Sequence, residues 1–212
     1  MRMPIVHPVL EAYATQHSSP EASLFKRLAR ITQAKTALPQ MQVGHLEGSF
    51  LRLMMRLVRA KRVLEIGTFT GYSALAMAEG LAPGGRLITC DIDPETTRIA
   101  KAYWAKSPHG SKIELRLGPA TETIQRLNGH FDAVFIDADK ENYVRYWQLC
   151  VPKVRRGGIL LVDNVLWGGR VLHPQDSSDH AIVAFNRRVA ADRRVEVVML
   201  PLRDGLTLAY KK

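Results

Sequence analysis

The stretch FDAVFIDADKENY, residues 131–143, closes a run of strand-forming apolar residues with Asp137, Asp139, Lys140 and Glu141. Three carboxylates and one ammonium within five positions are costly to hold together unless a cation sits among them or the charges do chemistry. Other acids fall at comparable points. Glu65 closes one apolar run, Asp91 a second, and Asp163 with Asn164 a third. One acid after a strand is often only a helix cap or turn former. Four, at the ends of the first, second, fourth and fifth strands, point instead to a ligand site.

The segment VLEIGTFTGYS joins the first of these acids to a helix through Gly67 and Gly71, which let the backbone turn sharply and approach a ligand. Its G-x-x-x-G spacing is not the G-x-G-x-x-G of dinucleotide sites, which argues against a bound pyrophosphate. Asp91 stands where a carboxylate accepts hydrogen bonds from two ribose hydroxyls. Glu65 would repel phosphate and welcome an amino group. A nucleoside carrying an amino acid satisfies both conditions, and S-adenosylmethionine is such a molecule.

Those residues need a frame, and the pattern from residue 61 onward supplies one. Runs such as KRVLEIG, GRLITCDI, FDAVFIDA and GGILLVDNV are continuous and Val/Ile/Leu-rich, and they alternate with helical segments. This predicts an α/β fold with a parallel sheet covered on both faces, ligands lying beyond the carboxyl ends of the strands. VEVVMLPL and GLTLAYK, joined through RDG, predict a closing hairpin at the sheet edge. Residues 1–60 read as a helical extension. A helix is expected from Ser19 as N-cap, with Pro20 and Glu21 in its first turn; a loop spans ALPQMQVG, and a second helix covers HLEGSFLRLMMRLVRA. In that second helix Leu53 and Leu57 mark the expected buried face, with Arg52, Arg56 and Arg59 opposite.

With 212 residues, 46% of them hydrophobic, the chain has material for one domain with a full core. Two cysteines, Cys90 and Cys150, are too few for a disulfide framework, and no apolar stretch suits a signal peptide or membrane span. A cytoplasmic protein is expected. Of the net charge of +10, residues 1–62 hold ten Lys/Arg against three Glu, so the excess is mainly N-terminal. It is either a solvated helix face or a positive rim for an anionic substrate.

VLEIGTFTGYSALAMA, DIDP, FIDADKENY, DNVLWGG and PLRDGLTLA, in this order, resemble the cation-dependent O-methyltransferases, the group of caffeoyl-CoA O-methyltransferase and its bacterial relatives, with catechol O-methyltransferase more distant. The similarity runs from about Met41 to the C-terminus. It implies a Rossmann-like class I methyltransferase fold over residues 1–212, with a seven-stranded, mostly parallel sheet in residues 61–212. It also implies that Glu65, Gly67 and Ser73 hold the methionine part of S-adenosylmethionine with Val43 nearby, that Asp91 binds the ribose, and that Ile92 and Ala120 meet the adenine. Thr68 and Asp137 complete the cofactor set.

The family places its metal on residues matching Asp137, Asp163 and Asn164. These are oxygen donors suited to Mg²⁺ first, then Mn²⁺ or Ca²⁺. Such an ion can chelate two adjacent hydroxyls of a phenolic small molecule and acidify them. Lys140 is then placed as general base, while Asp139 and Glu141 fit helix capping. Trp167, Tyr143 and Trp147 are candidates for the substrate face, the last two equally for the core. LWGGRVLHPQDSSDH is expected to form a loop over the metal, its His173 and His180 lacking ligand spacing. The resemblance implies a homodimer through the N-terminal helices. Some relatives methylate a hydroxylated uridine of transfer RNA, so tRNA stands as the alternative acceptor.

Overall fold

The computed structural model describes residues 5–212; the first four residues of the opening segment, read above as carrying no leader, lie outside it. Three helices come first: α1 (Pro8–Gln16), α2 (Ser23–Lys35) and α3 (His45–Leu57). Strands and helices then alternate: β1 (Arg62–Ile66), α4 (Tyr72–Gly80), β2 (Arg86–Asp91), α5 (Pro94–Trp104), β3 (Ile113–Leu117), α6 (Ala120–Arg126), β4 (Phe131–Ile136), α7 (Tyr143–Cys150), β5 (Val154–Asp163), α8 (Ser177–Ala190), β6 (Val195–Leu200) and β7 (Leu206–Lys211). The sheet order is β3-β2-β1-β4-β5-β7-β6, the first five strands being parallel. β7 runs antiparallel to both β5 and β6. The predicted hairpin therefore forms, with its reversed strand inside the sheet and β6 at the edge.

Neighbouring residues along the central strands feed two separate cores, as the pleat requires. Val63, Phe135 and Leu161 pack on one face with α2, α3 and α4, while Leu64, Ile136 and Val162 pack on the other with α6, α7 and α8. α4 is buried along almost its whole length. Two glycines permit this: a Cβ on Gly80 would stand 2.4 Å from the Arg52 carbonyl of α3, and one on Gly48 would stand 2.7 Å from the Tyr72 ring. The N-terminal helices thus roof the helix that carries the first turn of the site. No helix among the described residues is long and apolar enough to cross a membrane.

Two expectations for this roof are corrected. α2 begins at Ser23 with Ala22 as its cap residue, so Ser19 caps nothing. The Ser19 carbonyl meets the His45 ring, and Glu21 accepts from the Tyr72 hydroxyl (2.6 Å), contacts that hold this segment extended. In α3 the buried stripe is Glu47, Gly48, Leu51 and Met55, whereas Leu53 and Leu57 are 52% and 72% exposed. The apolar side chains span about half the helix, from Leu53 and Leu57 round to Leu51 and Met55, and periodicity did not select which edge of that stripe packs.

Candidate active site

The carboxyl ends of β1, β2, β4 and β5 meet at one side of the sheet, where a cavity of about 1360 Å³ opens. Its floor is the β1–α4 turn. Gly67 has φ +97°, and a Cβ there would stand 1.8 Å from the Asp137 carbonyl oxygen, so only glycine lets the ends of β1 and β4 come together. Asp137 N donates to the Ile66 carbonyl (2.8 Å) and continues the ladder past the strand end. Asp91 organises the same turn: its Oδ2 accepts from the backbone of Thr68 (2.8 Å) and Phe69 (2.7 Å), its Oδ1 from that of Asp93 (2.9 Å). Thr68 turns its hydroxyl inward to that of Thr89 (2.5 Å) and also lines the cavity.

Glu65 is fully buried at the end of β1, and neither carboxylate oxygen has a hydrogen-bond partner. Burial pushes its pKa up to about 8; the nearby hydroxyls of Ser73 and Thr89 pull it back, and Asp137 and Asp91 push it further up. A buried polar group without a partner is rare in a folded protein and costs about 1–3 kcal/mol. Glu65 therefore suits an ammonium-bearing ligand entering beside Ser73, which lines the cavity. Val43, Ile92 and Ala120 line it as well. Ile92 is 74% exposed at the lip rather than packed in the core, and Ala120 opens α6.

At the β4 and β5 ends, Lys140 is 9% exposed and its Nζ donates to Asp137 Oδ1 (3.1 Å), Asn164 Oδ1 (2.7 Å) and the Tyr143 hydroxyl (2.5 Å). Asp163 lies alongside: Oδ2 accepts from Asn164 Nδ2 (3.0 Å), and Oδ1 is buried without a partner. Burial raises the Asp163 pKa well above the carboxylate range, with Glu47 and Asp137 pushing the same way and Arg203 and Lys140 opposing. Asn164 adopts φ +61°, a left-handed conformation that asparagine tolerates and that brings its amide into the cluster. Asp137 and Asn164 thus already converge on a cation, the lysine ammonium, and Asp163 holds one more buried oxygen to offer. A donor set made only of oxygens fits a hard divalent ion.

Two members of this centre escaped the sequence reading. Glu47, 1% exposed on α3, pairs with Arg203 of the β6–β7 turn (Nη1 to Oε2, 2.7 Å). Arg203 Nη2 also donates to the Gln42 carbonyl (3.2 Å), and Gln42 Nε2 reaches Thr32 (2.7 Å) and Thr70 (2.8 Å). Burial raises Glu47 to about 7 against the pull of Arg203. The signal was an acid in register with Leu51 and Met55 at i, i+4 and i+8.

Other expectations resolve by position. Trp167 lines the cavity, whereas Tyr143 and Trp147 are core residues; Tyr143 sends only its hydroxyl to Lys140, and the Trp147 indole donates to Asp192 (2.9 Å). Asp139 stands at the N-cap position of the short 3-10 turn Lys140–Asn142 as expected but makes no side-chain cap bond to its backbone: Asn142 Nδ2 and the Tyr146 hydroxyl (2.5 Å each) donate to its two oxygens. Glu141 accepts instead from Ser178 (2.7 Å) and Ser177 (3.3 Å) of α8. Neither His173 nor His180 lines the cavity. Arg52, Arg56 and Arg59 also lie off it, Arg52 pairing with Glu79 (3.3 Å), so they form no rim around this site.

A family model described as O-methyltransferase matches residues 15–212. The chain is 42% identical over 172 residues to the mouse (Mus musculus) catechol O-methyltransferase domain-containing protein 1, covering 78% of this chain and 66% of that longer protein. It is 38% identical over 205 residues to a caffeoyl-CoA O-methyltransferase of Petroselinum crispum, covering 90% of this chain and 85% of the relative. The O-methyltransferase of Bacillus cereus, solved in complex with SAH, superposes with a TM-score of 0.88 at 29% identity, covering 96% and 97% of the two chains. Fold, strand-end acids and these similarities converge: the chain belongs to the O-methyltransferase family and is an S-adenosylmethionine-dependent O-methyltransferase of the caffeoyl-CoA group.

Proposed function

We propose that this enzyme methylates one oxygen of a vicinal-dihydroxy aromatic small molecule with the help of a divalent cation, Mg²⁺ foremost and Mn²⁺ or Ca²⁺ as substitutes. The observation carrying this reading is the convergence of Asp137 Oδ1 and Asn164 Oδ1 on the Lys140 ammonium, beside an unpartnered oxygen of Asp163. Asp137, Asp163 and Asn164 are the proposed holders of the ion. When bound, the cofactor supplies an electrophilic methyl group and the ion a Lewis acid that acidifies two neighbouring hydroxyls. Once its ammonium has released a proton to solvent, Lys140 would take the proton of the attacking hydroxyl, and the Tyr143 hydroxyl and Trp167 ring hold its side chain in place.

On the cofactor side, Glu65 receives the amino group, with Gly67, Thr68, Ser73 and Asp137 around the methionine part and Val43 packed near it. Asp91 keeps one acceptor site, on Oδ1, for a ribose hydroxyl after accepting its three backbone donors. Ile92 offers an apolar surface to the adenine, and Ala120 its backbone. Much of the rate acceleration then comes from holding two reactants in line.

The helices before β1 and the sheet form one domain in this reading, and the molecule works in the cytoplasm, where buried Cys90 and Cys150 stay as thiols. A second copy docks on the N-terminal helices. Support for that contact comes from Val9, Leu10 and Tyr13 of α1 and Leu53 and Leu57 of α3, which are apolar yet at least half exposed. Incubation with labelled S-adenosylmethionine, Mg²⁺ and either catechols or undermodified tRNA tests the acceptor. Label in a catechol supports the reading; label in RNA alone overturns it.

A further inference from the structure

The charge around the cavity is opposite in sign to that of the chain. Among the described residues that line it, eight are carboxylates and three are cations; eight less three leaves a formal excess of five negative charges in a protein whose net charge is +10. Two of the three cations are committed, Lys140 to Asp137 and Arg203 to Glu47, and Lys35 is the third. Glu11 and Glu141 stand among the lining acids outside the proposed cofactor and metal set. Arg170, which lies over Trp167, is already paired with Asp176 (2.9 Å) and Asp179 (3.1 Å). The arginines that make the chain basic lie elsewhere.

A site of this sign retains cations. Loading it with a divalent ion and a sulfonium cofactor of net charge +1 would reduce the formal excess from five to two without reversing it. A cleft lined by one sign of charge concentrates ligands of the other sign and repels its own. From this, and resting on the dihydroxy-aromatic reading above, we infer that the acceptor is a free diol that is neutral or positively charged, and that polyanionic acceptors, a coenzyme A thioester or tRNA, are discriminated against. Between a free catechol and its coenzyme A thioester the discrimination comes from the enzyme's own rim, since the reacting diol is the same in both.

The test compares kcat/KM for four acceptors sharing one 3,4-dihydroxyphenyl group: dopamine (cationic), 4-methylcatechol (neutral), caffeate (carboxylate) and caffeoyl-CoA (polyanionic), with undermodified tRNA as a fifth arm. Dopamine and 4-methylcatechol are expected to lead, with caffeoyl-CoA at least about tenfold lower, and the spread is expected to shrink between about 20 and about 300 mM salt as the charges are screened. In Glu11→Lys the dopamine-to-caffeate ratio is expected to fall by about fivefold, the order of effect one reversed charge gives at the rim. Equal or better use of caffeoyl-CoA or tRNA overturns the inference, as does a ranking or ratio insensitive to salt and to Glu11→Lys. If caffeoyl-CoA leads, the dihydroxy-aromatic reading survives and only the charge inference falls; if cofactor binds and none of the diols is methylated, both fall.

Discussion

The Nζ of Lys140 lies within hydrogen-bonding distance of Asp137, Asn164 and Tyr143, so its side chain is fixed on both sides of the site. Lys140→Met keeps the length and removes the amine. Turnover is expected to fall by about 10²–10⁴, the usual contribution of a positioned base, while the cofactor Kd from calorimetry changes little. Glu65 gives a pH signature. Burial raises its pKa from 4.5 to about 8, so folding favours the protonated form; that stabilisation is fully present below pH 4.5 and fades as pH climbs through about 8. Cofactor-free enzyme is thus expected to lose stability relative to Glu65→Gln between these limits, read by denaturant midpoints across the range. Equal slopes for the two proteins would remove Glu65 as a buried, raised acid. At this scale the sequence was legible where residues sit at strand ends, because strand pattern and sheet topology together fix that edge. It did not bring Glu47 and Arg203 together, because they lie 156 residues apart in the chain and their ion pair exists only in the folded protein.

Among the elements, the β1–α4 turn and the β6–β7 turn carry the strongest constraints. Gly67→Ala would force φ +97° on a residue with a side chain and drive its Cβ onto the Asp137 carbonyl. The strain alone is on the order of 1–3 kcal/mol, and the clash adds to it. A fall in thermal midpoint and a weakened cofactor Kd are expected together, because the same shift moves Asp137. Arg203→Met would strand the Glu47 charge in the core at about 3–5 kcal/mol, and Glu47→Gln added to it is expected to restore much of the loss. A double mutant no more stable than Arg203→Met would show that the pair is not coupled. From α2 onward, helix and strand order followed directly from hydrophobic pattern, but α1, the start of α2 and the packing face of α3 did not. The last two are set by partners distant in sequence, Tyr72 for Glu21 and α4 for the Gly48 side of α3.

For the whole molecule, the net charge of +10 was visible at once, yet its placement was not. Composition located the excess in the N-terminal third, and folding then carried Arg52, Arg56 and Arg59 away from the cavity. The exposed apolar residues of α1 and α3 give the proposed dimer its own test: light scattering of Leu57→Asp is expected to show a monomer where the parent is a dimer. A parent that is already monomeric would dismiss that contact. The account as a whole turns on an ion held between the ends of β4 and β5. Its most direct measurement is methyl transfer to 4-methylcatechol by metal-stripped enzyme, with and without added Mg²⁺. Loss of turnover on stripping and its recovery on adding Mg²⁺ is the expected result; full turnover in the presence of chelator would contradict it.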